Sequence, residues 1–93
     1  MQDIKVLQMP VFKRTYKKLH QNQKVAVDEA ISDITQNPFL GEAKKGDLNG
    51  VYVYKFECVK QQFLLAYEFD PKTRILLTLG VHENFYRDLK KIK

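Results

Sequence analysis

His82 and Tyr86 stand four residues apart near the end of a 93-residue chain. An imidazole has an ordinary pKa of about 6.5, so His82 can take or give a proton at neutral pH. If the segment is helical, Tyr86 lies one turn further on and both side chains can address one phosphate. Cleaving RNA without a metal needs a group to take the 2′-hydroxyl proton, a group to protonate the leaving oxygen, and cations to steady the phosphorane charge. The plainer reading makes His82 a strand-end histidine capping a turn and Tyr86 an aromatic packing a last helix.

Cations that could edge such a site are Lys44, Lys45, Lys55, Lys60, Arg74 and Arg87. Lys55 alternates with Tyr54 and Phe56, so in a strand it faces away from them. A second basic set, Lys13, Arg14, Lys17 and Lys18, falls on one side of a helical pattern; it is either a contact for a nucleic-acid backbone or a solvated face. His20 and Cys58 lack partners at metal-ligand spacing, and no Walker, Rossmann or nucleophile-elbow glycine pattern occurs. No metal or other cofactor is indicated.

The elements that must position these groups divide the chain into halves of different period. A short strand is expected at Ile4 to Met9. In Pro10 to Leu19, Phe12, Tyr16 and Leu19 recur at helical spacing opposite the basic set. After a polar turn, a second helix over about Gln23 to Gln36 carries Val27, Ala30, Ile31 and Ile34 on one face, and Asn37-Pro38 ends it. A polar segment, Gly41 to Gly50, comes next. Val51 to Glu57 and Gln62 to Asp70 read as a β-hairpin, and the turn Asp70-Pro71-Lys72-Thr73 leads into a third strand, Arg74 to Val81. The tail, Glu83 to Lys93, puts Phe85, Leu89 and Ile92 on one helical face. The expected fold is α+β, an N-terminal helical hairpin on one face of an antiparallel sheet with a short C-terminal helix, the other face left open to hold an anionic ligand.

A chain of this length supports one domain, residues 1–93, around a single core. Six Phe, five Tyr and 44% hydrophobic residues argue for a folded globule. Apolar runs such as Ile75-Leu76-Leu77 fall far short of the roughly 20 residues that cross a bilayer, the start has no signal-like stretch, and the lone Cys58 closes no internal disulfide. A cytoplasmic protein without a membrane partner is expected. The net charge of +5 favours polyanions or an acidic partner.

The strings Ile34-Thr35-Gln36-Asn37-Pro38, Gly41, Lys44-Lys45-Gly46-Asp47-Leu48-Asn49-Gly50 and Phe63-Leu64-Leu65-Ala66-Tyr67 resemble, in order and spacing, the RelE/ParE superfamily of type II toxin–antitoxin toxins, in its YafQ-like or ParE-like branch. There a helical hairpin ends at Asn-Pro, a basic loop closes with Leu-x-Gly, and a hairpin ends in an aromatic. Leu79-Gly80-Val81-His82-Glu83-Asn84-Phe85-Tyr86 resembles the family's last strand and the segment after it. The resemblance implies one of two activities. RelE-like and YafQ-like members cut mRNA in the ribosomal decoding site, whereas ParE-like members poison DNA gyrase without catalysis. It also implies a cognate antitoxin encoded by a neighbouring gene. YafQ-like toxins carry a histidine followed four residues later by an aromatic, which His82 and Tyr86 match. Ribonuclease members usually place an arginine where this chain has Leu64, so either Lys55 or Arg74 replaces it or this member is not a nuclease.

Overall fold

The computed structural model describes residues 3–92, so Lys93, the last residue expected in the tail helix, lies outside it with Met1 and Gln2. The elements run β1 (Lys5–Gln8), α1 (Pro10–Lys17), α2 (Gln21–Gln36), β2 (Glu42–Ala43), β3 (Tyr52–Glu57), β4 (Gln62–Asp70), β5 (Thr73–Gly80) and α3 (His82–Ile92), with 3-10 turns at Pro38–Leu40 and Gly46–Leu48.

Pro10 opens α1, where a proline costs no hydrogen bond and its fixed φ suits the helix. Phe12 is buried while Lys13, Arg14 and Lys17 stay exposed. α2 starts two residues before the expected Gln23, because the His20 N–H donates to the Gln23 side chain at 2.8 Å and ties the first turn to its cap. Its buried stripe is Val27, Ala30 and Ile34. Asn37 stops it, and the Asn37 side chain accepts from the Phe39 N–H at 3.2 Å to start the following turn.

The sheet order is β1-β5-β4-β3-β2. β2 to β5 form the expected antiparallel meander, but β1 runs parallel to β5, with Lys5 opposite Thr73 and Gln8 opposite Leu76, so the sheet is mixed rather than antiparallel. The helical hairpin carries the chain from one sheet edge to the other, and the meander then returns to the edge where β1 waits.

Side chains on β4 alternate between two cores. Phe63, Leu65 and Tyr67 pack with Phe12, Val27 and Ile34 of the helical hairpin. Leu64 and Ala66 pack with Val53, Leu77 and the α3 residues Phe85 and Leu89. The second face is therefore covered by α3, not open as expected: with Phe63 to Tyr67 all buried, the central strand is apolar on both sides and water on either would be costly. Burying a side chain such as Leu89 contributes about 1.5–3 kcal/mol.

Candidate active site at the start of α3

One residue, Val81, separates the end of β5 from His82, the first residue of α3. Phe85 and Leu89 are buried against the sheet, and this fixes the rotation of the helix. His82 and Tyr86 then come side by side, ring centroids 5.4 Å apart and edge-on at 70°. Tyr86 also meets Phe85 edge-on at 5.1 Å. Glu83 in the first turn complements the positive end of the helix dipole.

Two strands bring charge to the same place. The Lys44 N–H donates to the Val51 carbonyl at 2.9 Å, which pins the loop after β2 to the start of β3. From there the Lys44 ammonium lies 5.3 Å from the centre of the Tyr86 ring and pairs with the Glu42 carboxylate. Glu42 sits opposite Val53 in the ladder, so its side chain shares the α3 face. The hydrogen bond with Glu42 raises the Lys44 pKa, with Tyr86 adding a smaller effect, and the same bond lowers that of Glu42. Lys55 lies two residues beyond Val53 on that face and adds to the lowering of Glu42.

Beyond α3 the face remains open as a cavity of about 320 Å³ lined by Lys55, Phe56, Glu57, Lys60 and Gln62. The hairpin turn beside it is doubly closed, Cys58 N–H to Gln61 carbonyl at 2.7 Å and the reverse bond at 3.2 Å. Val59 and Lys60 at its centre have φ of 51° and 66°. Turns of this kind prefer Asn-Gly, so a β-branched valine there is strained. Leu64, opposite both Lys55 and Gly80, is 1% exposed beneath α3.

The sequence-derived cations thus separate. Lys44, Lys55 and Lys60 are on the α3 face or at its hairpin tip. Lys45 is exposed before the second 3-10 turn, and Arg87 is exposed on α3 next to Tyr86. Arg74 is elsewhere, 4% exposed on the opposite face. Its guanidinium donates to the carbonyls of Thr35 at 2.9 Å, Asp70 at 2.7 Å and Thr73 at 3.1 Å, and lies over the Phe69 ring. Arg74 clamps the end of α2 to the β4–β5 turn and does not stand in for the arginine missing at Leu64. Lys13, Arg14, Lys17 and Lys18 are exposed along α1 and its C-cap. Sequence reasoning missed Glu42; the signal was its i, i+2 spacing to Lys44, which shares a face in extended chain.

The family model described as ParE-like toxin of type II bacterial toxin–antitoxin system matches residues 6–90. This chain belongs to that family. None of the curated proteins matches the ParE-like toxin by sequence. Among solved structures it is similar to a mutant of the E. coli toxin RelE in the free state (TM-score 0.74, 15% identity, 96% of each chain covered). It is also similar to a chain of the toxin–antitoxin complex RelBE2 from Mycobacterium tuberculosis, with a TM-score of 0.72, 21% identity, and 86% of this chain and 99% of that one covered. A YoeB/ParE toxin from Agrobacterium tumefaciens is similar at TM-score 0.67 and 15% identity, covering 85% and 99%. At these identities the likeness is one of fold. Among the described residues no helix is long and apolar enough to cross a membrane.

Proposed function

We propose that this ParE-like toxin is an endoribonuclease that cuts mRNA on the ribosome and so inhibits translation in the cytoplasm. The observation that carries the reading is the edge-on contact of His82 and Tyr86 at 5.4 Å with the Lys44 ammonium beside it. In this mechanism His82 takes the proton of a 2′-hydroxyl as its oxygen attacks the adjacent phosphorus. Tyr86 gives its proton to the departing 5′-oxygen, and the P–O bond breaks to leave a 2′,3′-cyclic phosphate and a 5′-hydroxyl. Proton transfer from His82 to Tyr86 restores both groups. Lys55 and Lys60, lining the cavity of about 320 Å³, hold neighbouring phosphates, with Lys45 and Arg87 at the margin. The basic face of α1 contacts ribosomal RNA through salt-sensitive attraction.

The test is expression from a tightly controlled promoter. Translation should stop first, with cleavages mapping inside translated mRNA, and His82→Ala should lose about 10²–10⁴-fold of the cleavage rate. Intact mRNA with replication halting first would sink the idea. A second reading, a gyrase inhibitor without catalysis, is favoured by Leu64: a buried leucine leaves β4 without the phosphate-holding cation, worth about 3–4 kcal/mol of transition-state stabilisation. On that reading His82→Ala stays toxic and purified gyrase loses supercoiling activity.

Under either reading a cognate antitoxin from a neighbouring gene silences the toxin. Its acidic segment, folding as it binds, covers the basic α1 face and an exposed sheet edge. Hydrogen exchange should show protection in residues 10–22 or in the edge strands on complex formation; no gain in either place would refute this mode.

A further inference from the structure

We propose that Glu42 is a positioning residue that withholds Lys44 from the RNA backbone and commits its ammonium to Tyr86. The inference rests on the endoribonuclease reading and adds to it a residue whose charge has the wrong sign for the substrate. A carboxylate at the rim of a site that receives a polyanion weakens binding. It does little for the fold either: the Glu42 side chain is 68% exposed, and ion pairs so open to water contribute almost nothing to stability. What Glu42 does is decide where Lys44 goes. The Lys44 side chain is 21% exposed, its backbone is tied to Val51, and its ammonium is held between the Glu42 carboxylate and the Tyr86 ring.

A lysine has a flexible stem and a compact, strongly hydrated charge, so without an anchor it would follow the nearest phosphate. Paired with Glu42 it is no longer a free counter-charge for RNA. It is already in place beside Tyr86 when negative charge builds on the phenolic oxygen during proton transfer, and so needs no reorganisation at that moment. Glu42 thus trades substrate affinity for the rate of the chemical step. A lysine that merely gripped phosphate would make the opposite trade.

The experiment separates binding from chemistry with purified wild type, Glu42→Gln, Glu42→Asp, Lys44→Gln and the Glu42→Gln/Lys44→Gln double variant. Binding is measured on a short single-stranded RNA blocked by 2′-O-methyl groups, and cleavage as a single-turnover rate on ribosomes loaded with a defined mRNA. Glu42→Gln should cleave about tenfold more slowly, as expected for a misplaced group beside the chemistry. It should also bind RNA more tightly, its log affinity against log salt steeper by about 0.7, the share of one added lysine–phosphate contact on a single strand. Glu42→Asp should recover part of the rate, and the double variant should be no slower than Lys44→Gln alone. Wild-type cleavage by Glu42→Gln, or a loss that adds in full to that of Lys44→Gln, overturns the proposal. Should the wild type leave ribosome-bound mRNA intact, the endoribonuclease reading fails separately. The placement is then judged by NMR of the folded toxin: Glu42→Gln shifts the Tyr86 ring signals if Glu42 positions Lys44, and unchanged signals refute it.

Discussion

Tyr67 and Tyr86 look toward opposite faces of one sheet and are used in opposite ways. The Tyr67 hydroxyl is sealed in the α1–α2 core, where it donates to the Pro38 carbonyl at 2.6 Å and accepts from the Gly41 N–H at 3.0 Å. Tyr86 is half-buried, and its partners are two other rings and a lysine ammonium. The cations divide likewise, Arg74 spending its donors on three backbone carbonyls and Lys44 resting between a carboxylate and a ring. One face uses its polar side chains to close the structure, whereas on the other they stand near the surface at the proposed site. Residue type alone does not separate these roles; the number of bonds already satisfied does.

The contrast can be sharpened by substitutions on both faces. Phe85→Ala should cost the most, about 3–5 kcal/mol of unfolding free energy in denaturant titrations, because it empties the core that holds α3 to the sheet. If stability were barely changed, α3 would not be the cover of that face. Arg74→Ala should lose about 2–3 kcal/mol, since three carbonyls lose a charged donor.

Tyr67→Phe should cost about 1–2 kcal/mol and also change the response to alkali. Burial pushes the Tyr67 phenol above its ordinary pKa, with the Gly41 N–H acting the other way. A raised folded-state value means that the stabilisation is complete below the unfolded pKa of about 10 and is lost as pH rises through the folded value. Wild-type stability should therefore fall above that pH, and the Phe variant should fall less. The smallest effect belongs to the other face: His82→Ala should stay within about 0.5 kcal/mol of wild type, because the side chain is exposed and closes nothing. A large loss there would erase the distinction between the faces.

Much of this arrangement was legible in the residues. The 3.6-residue stripe Val27, Ala30, Ile34 and the alternating strands placed the helical hairpin and the meander. The four-residue spacing of His82 and Tyr86 led to the pair that α3 brings together. The parallel partnership of β1 with β5 was not legible, because pairing between distant segments leaves no local period. β2 is two residues inside a polar stretch and carries no pattern of its own. The open face was misjudged although Leu64 and Ala66 alternate with Phe63 and Leu65, a sign that both sides of β4 need cover. Arg74 was misplaced for a similar reason: its two-residue spacing to Leu76, which packs in the helical-hairpin core, already set it on that side.

The parallel pairing of β1 with β5 has a consequence in time. Lys5 finds its ladder partner in Thr73, so this edge of the sheet cannot assemble until the chain has been synthesised past that residue. Contacts between such distant segments carry the full entropy of loop closure and form slowly. The α3 cover comes later still, since it follows β5 in the chain. Strand order therefore makes the face that carries the His82–Tyr86 pair the last part of the sheet to close.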